Sequence, residues 1–313
     1  MGLFHRHRVF RKNEKNCIGN SKLKPFCLTP KSKVFITIFI FSNFIIMKKS
    51  KLEFSVRAKA QSRLLKMHFD SGVGHIGGNL SSLDALLLLY HEYLCTDSDQ
   101  FILSKGHSAG ALYVSLWSKG LLSDGDLKLF HKEGTNLPAH PPSSGVPGIL
   151  FATGSLGHGL SLAAGTALAK RLNSDRGHVY CMTSDGEWQE GSIWEALIFL
   201  CHHKLTNLTV LVDHNTLQGF GSTDDVASMN PLAEKLRGFA ITILSVDGHD
   251  LNAIREALNT PSSQPKLVVL NTTKGCGISF MEKQMKWHYL PLNEEQYKQA
   301  ISEINKGIEA RKS

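Results

Sequence analysis

The chain has little cysteine and little proline, 6 and 10 of its 313 residues. The cysteines are scattered and form no C-x-x-C pair, which excludes a disulfide framework and a structural zinc site. Isolated thiols of this kind are typical of a reducing compartment, so we expect a cytoplasmic protein. The apolar stretch Val34–Ile46 has 13 residues, whereas a membrane-spanning helix needs about 20. A transmembrane helix is therefore not expected in this stretch, and the membrane is not an expected partner of the body of the chain.

Acidic residues are nearly absent from the first 50 positions, where Glu14 stands against 11 lysines and arginines. This segment carries a net charge of +10, so the rest of the chain carries −2 of the total of +8. Because the rest of the chain is nearly neutral, it lacks the excess positive charge typical of nucleic-acid-binding proteins, and we do not expect it to bind nucleic acid. We expect residues 1–46 to be a basic and apolar leader, disordered or absent from the mature domain, and residues 47–313 to form one domain. A membrane or organelle-targeting role for the leader stays open.

The body alternates apolar strands with helices, which predicts βαβ units, an α/β fold and a parallel sheet with helices on both faces. A glycine-rich turn over Ser71–Gly78 is expected before the apolar helix 85–93, and Gly154–Gly159 opens a helix that reaches Leu172. The predicted strands are 101–104, 178–183, 208–212, 240–246 and 266–270. The other predicted helices are 52–68, 109–119, 192–203, 251–258 and one that begins at Asn293.

Two oxygen-bearing side chains follow neighbouring strands of the predicted sheet. Asp185 and Asn215 lie 30 positions apart, the length of one βαβ crossover, which returns both to the carboxyl edge of the sheet. Together with a nearby backbone carbonyl such as that of Leu217, they make a hard oxygen site suited to Mg²⁺ or Ca²⁺. Gly186 permits close approach of a phosphorylated ligand to the backbone.

The pair Asp185-Gly186 with Asn215 resembles the thiamine diphosphate-binding motif, with Ser184 where the motif usually has glycine. From Ser55 to Glu295 the chain resembles transketolase, and in particular the amino-terminal subunit of split, two-gene transketolases. The resemblance implies the thiamine diphosphate-binding fold of the diphosphate-binding domain. It is carried by the blocks Ser71–Gly78, Leu103–His107, Ala139–Pro141, Thr153–Gly159, Asp185–Ala196, Val246–Asp250, Thr273–Gly277, Ser279–Glu282 and Trp287-His288.

The resemblance also implies roles for single residues. Asp185, Asn215 and the Leu217 carbonyl would hold Mg²⁺. His107 and Gly186 would contact the cofactor diphosphate, and Gly154 and Leu156 the aminopyrimidine. His75, His140 and His288 would line the substrate channel, with His107 among the catalytic histidines. Glu190 and Glu195 match glutamates of a subunit-interface network, and Glu190 is also expected among the cofactor-binding residues. For His158, a cofactor contact and a helix-cap role stay open.

The activity implied is transfer of a two-carbon ketol unit between phosphosugars, in carbohydrate metabolism. The thiazolium ring absorbs the carbanion electrons, and histidines can move protons on sugar hydroxyls near neutral pH. By the same resemblance, the glutamate that activates the cofactor belongs to a partner chain with the pyrimidine-binding domain, in a heterotetramer. Two alternatives stay open. One is a different thiamine diphosphate-dependent carboligase, similar to 1-deoxyxylulose-phosphate synthase, and the other is a non-catalytic cofactor-binding module.

Overall fold

The computed structural model describes residues 49–309, so the predicted leader lies outside the described residues. Its main feature is a five-stranded parallel sheet in the order β1-β2-β3-β7-β6, with β4 and β5 forming a separate antiparallel pair. The strands are β1 Gln100–Leu103, β2 Val179–Ser184, β3 Leu208–His214, β4 Leu217–Gln218, β5 Gly221–Ser222, β6 Thr242–Asp247 and β7 Lys266–Asn271. The helices are α1 Phe54–Ser71, α2 Ile76–Leu88, α3 Ala109–Ser118, α4 Asp124–Leu127, α5 Gly159–Leu172, α6 Gly191–His202, α7 Thr223–Ala227, α8 Leu232–Lys235, α9 Leu251–Asn259 and α10 Glu294–Glu309.

Successive side chains of the strands point to opposite faces of the sheet, and each face has its own apolar core. Met182 and Leu211 pack with α1, α2, α3, α9 and α10 on one face. Cys181 and Val210 pack with α5, α6 and α8 on the other. Both faces are covered, which explains why the central strands are almost continuously apolar. The predicted parallel sheet with helices on both faces is confirmed. Among residues 49–309, no helix is long and apolar enough to cross a membrane.

The start of α2 differs from the prediction. The sequence suggested a glycine-rich turn up to Gly78 and a helix from residue 85, but α2 begins at Ile76, and all 13 of its residues are buried. Gly72 does form a turn, since it ends α1 in the left-handed conformation, but Gly77 and Gly78 lie within α2, and Gly77 serves close packing. A Cβ atom on Gly77 would lie 3.1 Å from Cγ of Lys274 and 3.3 Å from Cβ of Trp287. After Leu88 the chain continues as a π-helical turn, Leu89–Tyr93.

The helix α5 begins at Gly159, five residues after the glycine at which the sequence suggested its start. A Cβ atom on Gly159 would lie 2.5 Å from Cα of Ser104. The absence of a side chain therefore lets the first turn of α5 touch the chain just after β1. This contact keeps the preceding loop, residues 154–158, at the carboxyl edge of the sheet.

We expect Gly159→Ala to lower the free energy of unfolding by about 1–3 kcal/mol, because an added methyl group must displace the backbone of Ser104. Gly165→Ala in the same helix is the matched control. No atom of the described chain lies within 4 Å of its Cβ position, so alanine should be neutral or stabilising by up to about 1 kcal/mol. Urea unfolding of both variants measures the difference. Equal effects at the two positions would contradict the close-packing explanation.

Candidate active site

The carboxyl ends of β2 and β3 lie side by side, since Ser184 pairs with Asp213 in the parallel register. The chain after β2 carries Asp185, which is 4% exposed. Its Oδ1 accepts a hydrogen bond from the Gly186 amide at 2.8 Å, and its Oδ2 accepts one from the Thr216 amide at 2.5 Å. The second bond ties the loop after β2 to the loop after β3, so the tertiary fold brings the two predicted ligand segments together.

Two hydrogen bonds, one at the nitrogen and one at the oxygen, fix the orientation of the Asn215 side-chain amide. Nδ2 donates to Oδ2 of Asp213 at 3.4 Å, and Oδ1 accepts from the Leu217 amide at 3.1 Å. The Leu217 carbonyl oxygen accepts from Nζ of Lys274 at 3.2 Å. A carboxylate, an amide oxygen and a backbone carbonyl oxygen thus lie in two adjoining loops. This is the donor set of a hard divalent cation.

The charge balance of this edge also fits a cation. Burial raises the pKa of Asp185 to about 6, and the neighbouring Asp213 carboxylate adds to the rise. The ionised form of this carboxylate is therefore disfavoured in the protein alone, and a bound divalent ion would stabilise it. In residues 49–309, this edge included, no group of three or more histidine, cysteine, aspartate or glutamate side chains could hold a metal. A metal at the sheet edge would therefore need the amide and backbone oxygens beside the Asp185 carboxylate.

A cavity of about 520 Å³ opens above this edge. Its volume lies within the usual range of small-molecule sites. All of the residues to which the sequence assigned a catalytic, cofactor-binding or metal-binding role line this one cavity, while the roles themselves stay predictions. They are His75, His107, His140, Gly154, Leu156, Asp185, Gly186, Glu190, Asn215, Leu217 and His288.

Four histidine rings form a cluster on one wall of the cavity. The ring centroid of His75 lies 4.9 Å from that of His288, 5.7 Å from that of His107 and 6.2 Å from that of His140. His75 precedes α2 with a left-handed φ of 67°, and its amide donates to the His288 carbonyl oxygen at 3.1 Å. Three loops far apart in sequence therefore converge on His75.

The surroundings of three of these rings favour the neutral form. Burial lowers the pKa of His107 well below its ordinary value, and the nearby Lys105 ammonium lowers it further. Burial lowers the pKa of His288 to about 3, with a smaller contribution from the nearby charge of Lys274. Burial also lowers the pKa of His140, with a smaller contribution from His75. A neutral imidazole has one donor and one acceptor nitrogen, so these rings can both give and take hydrogen bonds with a polyhydroxylated ligand.

Buried charges beneath the cavity were not predicted as site residues. The ammonium of Lys105 pairs with Asp213, and both side chains are fully buried. The carboxylate of Glu187 accepts hydrogen bonds from the Ser104 hydroxyl at 2.5 Å and from the Gly157 amide at 2.9 Å. Lys274 is 2% exposed and lines the cavity. In the sequence, each of these lysines and the glutamate stands next to a glycine just after a strand, which could have marked them as site residues. The sequence alone does not show that they are buried.

His158 does not cap α5, so one of the two roles left open for it is wrong. It stands at the N-cap position without a side-chain capping bond, and its Nδ1 instead lies 2.9 Å from the Leu156 carbonyl oxygen. The described cavity lining does not include it. Glu190 and Glu195 are both exposed on this chain, and the predicted interface network stays a prediction.

Comparison with known proteins gives matches over most of the chain. Residues 59–311 match the family described as transketolase, thiamine diphosphate binding domain. One of the subunits of the apulose-4-phosphate transketolase of Phocaeicola vulgatus is 36% identical over 262 residues, which cover 80% of this chain and 93% of that protein. The 6-deoxy-6-sulfo-D-fructose transketolase subunit SqwG of Clostridium sp. is 37% identical over 246 residues, with 75% and 90% covered.

Solved structures support the same fold. Transketolase from Leishmania mexicana superposes with a TM-score of 0.74 at 27% identity, and the match covers 80% of this chain. It covers only 41% of the Leishmania chain. This chain therefore matches less than half of that transketolase but nearly the whole of the two subunits named above.

The buried His107 gives a pH prediction for the protein without ligands. Its folded pKa is depressed, so below about pH 6.5 the unfolded chain binds a proton that the folded chain rejects. The contribution of His107 to the free energy of unfolding is therefore fully present above that pH, and it is lost as the pH drops towards the pKa of His107 in the folded protein. Relative to His107→Gln, the wild type should lose up to about 1.4 kcal/mol per pH unit over this window.

Unfolding free energies between pH 7 and about pH 4.5 measure this difference, since the histidine titrates in that window. His202→Gln, at an exposed position of α6, is the control and should follow the wild type. A wild-type curve parallel to that of His107→Gln would show that the folded protein accepts the proton on His107.

Proposed function

Because the chain belongs to the transketolase family of thiamine diphosphate-binding domains, we propose that it is the cofactor-binding subunit of a two-chain transketolase. This enzyme transfers a two-carbon ketol unit between phosphosugars. The observation that carries the proposal is the convergence of His75, His107, His140 and His288 on the cavity that Asp185 and Asn215 also line. The cavity combines a hard-cation site with several imidazoles, which suits a diphosphate cofactor and a sugar substrate.

Asp185, Asn215 and the Leu217 carbonyl would hold Mg²⁺, with Ca²⁺ as the alternative ion. Support comes from the hydrogen bonds that fix these groups at one sheet edge and from the raised pKa of the buried Asp185 carboxylate, whose charged form a divalent ion would stabilise. His107 and Gly186 would contact the diphosphate, while Gly154 and Leu156 would contact the aminopyrimidine. When bound, thiamine diphosphate supplies the electron sink for the carbanion left by carbon–carbon cleavage.

The histidines would bind and orient the sugar. His75, His140 and His288 line the cavity with His107. A neutral imidazole ring can donate a hydrogen bond to a carbonyl oxygen through one nitrogen and accept one from a hydroxyl group through the other. Moving a proton on and off a sugar hydroxyl near neutral pH needs a group that titrates with small changes of environment. Imidazole is such a group, which favours a polyhydroxylated donor over pyruvate.

A partner chain with the pyrimidine-binding domain would complete the site. Two relatives are named as transketolase subunits. Phe220, Leu156 and Val226 line the cavity and are 86%, 37% and 46% exposed. Apolar side chains grouped at a cavity mouth are typical of a surface that another chain covers. We extend the proposal to a heterotetramer of two such chains and two partners, with Glu190 and Glu195 at the interface.

The domain assignment and the location are part of the same proposal. We assign residues 47–313 to the cofactor-binding domain and residues 1–46 to a leader outside it. The described cysteines Cys95, Cys181, Cys201 and Cys276 are all free. Free thiols support a reducing compartment, and we propose the cytoplasm.

Asp185→Ala should abolish Mg²⁺-dependent binding of thiamine diphosphate, because it removes the carboxylate from the ion site. Calorimetry in magnesium buffer, with the chain alone and mixed with its partner, measures the binding. Asp97→Ala, at an exposed position before β1, is the matched control and should bind as the wild type does. Undiminished uptake by Asp185→Ala would remove Asp185 from the ion site.

The isolated chain should show no ketol-transferase activity, and activity should appear when a partner with the pyrimidine-binding domain is added. The expected donors are ketose phosphates, with pyruvate inactive, assayed by release of the shortened aldose phosphate. Robust turnover by the chain alone would refute the need for a partner. Turnover of pyruvate would favour the synthase-like alternative, and binding without turnover in any mixture would favour a non-catalytic module.

A further inference from the structure

In two histidines of the cavity, the nitrogen Nδ1 contacts partners of different kinds: a hydrogen-bond donor in one ring and an acceptor in the other. Nδ1 of His288 lies 2.9 Å from Nζ of Lys274. Nδ1 of His75 contacts the backbone carbonyl oxygen of His288. In each ring Nδ1 thus has a protein partner, whereas Nε2 has no hydrogen-bond partner among residues 49–309 and can bind a ligand. The chemistry of the two partners decides which nitrogen carries the proton.

Lys274 fixes the proton on His288. In its ammonium form Lys274 has three donors and no acceptor, so Nδ1 of His288 then accepts the hydrogen bond through its lone pair. A doubly protonated imidazolium has no such lone pair, which excludes the charged form in this arrangement. The single ring proton of His288 must then lie on Nε2, and this nitrogen is a donor.

The carbonyl oxygen fixes the proton on His75 in the opposite way. A carbonyl oxygen can only accept, so Nδ1 of His75 must carry the proton. In the neutral ring Nε2 of His75 then has the lone pair and is an acceptor. The two ring centroids lie 4.9 Å apart, so a donor nitrogen and an acceptor nitrogen belong to adjacent rings of one cavity wall.

We propose that Lys274 is a positioning residue that holds His288 in the Nε2–H tautomer, so that His288 and His75 present a donor and an acceptor side by side. Protein groups alone supply both hydrogen-bond partners, so this arrangement needs neither cofactor nor substrate.

The surroundings of Lys274 keep this arrangement in place. Its ammonium also donates to the Leu217 carbonyl oxygen at 3.2 Å, so two acceptors hold it. Its side-chain stem packs against α2, where Cγ lies 3.1 Å from the position that a Cβ on Gly77 would take. The His288 carbonyl is held in turn by the amide of His75 at 3.1 Å. The lysine and both histidines therefore have little freedom to exchange partners.

A consequence for the substrate class rests on the proposed ketol transfer. An α-hydroxy ketone has a carbonyl oxygen beside a hydroxyl group, so it can accept from Nε2–H of His288 while donating to Nε2 of His75. Pyruvate has a carboxylate and a methyl group beside its carbonyl and no hydroxyl proton to offer His75. The fixed pair thus favours hydroxylated ketose donors over pyruvate through hydrogen bonding.

Nitrogen NMR of the full chain labelled with ¹⁵N in its histidine rings tests the tautomers directly, since protonated and unprotonated ring nitrogens resonate at different positions. His288→Gln and His75→Gln assign the signals by their loss. Near neutral pH and without ligands, we expect the His288 proton on Nε2 and the His75 proton on Nδ1. A proton on Nδ1 of His288 or on Nε2 of His75 would overturn the proposal.

Lysine variants test the role of Lys274. Lys274→Met should shift the His288 ring nitrogens towards a mixture of tautomers, whereas Lys274→Arg should preserve the wild-type pattern because it keeps a cationic donor. Lys266→Met, which removes a lysine that donates to the Leu258 carbonyl, is the control and should change nothing. An unchanged His288 signal in Lys274→Met would overturn the role of Lys274. These spectra stand apart from the activity assay, so failure of ketol transfer leaves the tautomer result intact.

Discussion

The buried ion pair between Lys105 and Asp213 is the interaction on which the rest of the site depends. Asp213 lies in β3 and accepts hydrogen bonds from Ser81 of α2 at 2.6 Å and from Thr272 after β7. Lys105, just after β1, also donates to the Ser82 hydroxyl at 2.9 Å. One carboxylate thus joins its own strand to a helix and to the chain that follows two other strands. Breaking such a pair costs about 3–5 kcal/mol because the remaining charge stays buried and uncompensated.

The same carboxylate links stability to the candidate chemistry. The Asp213 carboxylate accepts a hydrogen bond from Nδ2 of Asn215, so the side-chain oxygen of Asn215 points away from Asp213. The charge of Asp213 also helps to raise the pKa of Asp185. Most polar groups that a fold buries are paired by hydrogen bonds. At the described sheet edge, burial and the Asp213 charge disfavour the ionised form of Asp185, and a bound divalent ion would stabilise it. The proposed ion site therefore lies where the protein alone stabilises a carboxylate poorly.

Much of the fold could be predicted from the sequence. The five strands were found within about two residues of their observed ends, because central strands of a covered parallel sheet are nearly all apolar. The spacing of Asp185 and Asn215 placed both at one edge. The start of α2 was mispredicted because glycine signals a turn in most contexts. Here Gly77 permits contact with Trp287, more than two hundred positions away in the chain, and no local pattern records that contact.

The sequence by itself determined the order of the strands along the chain, the crossover length that pairs the two ligand loops, and the family. Only the tertiary structure decided that Lys105, Glu187 and Lys274 are buried beneath one cavity and that Lys274 faces His288. The physical reason is that strand patterns and spacing are local properties of the chain. Burial, pKa shifts and the tautomer of a histidine depend instead on groups brought together from distant positions by packing.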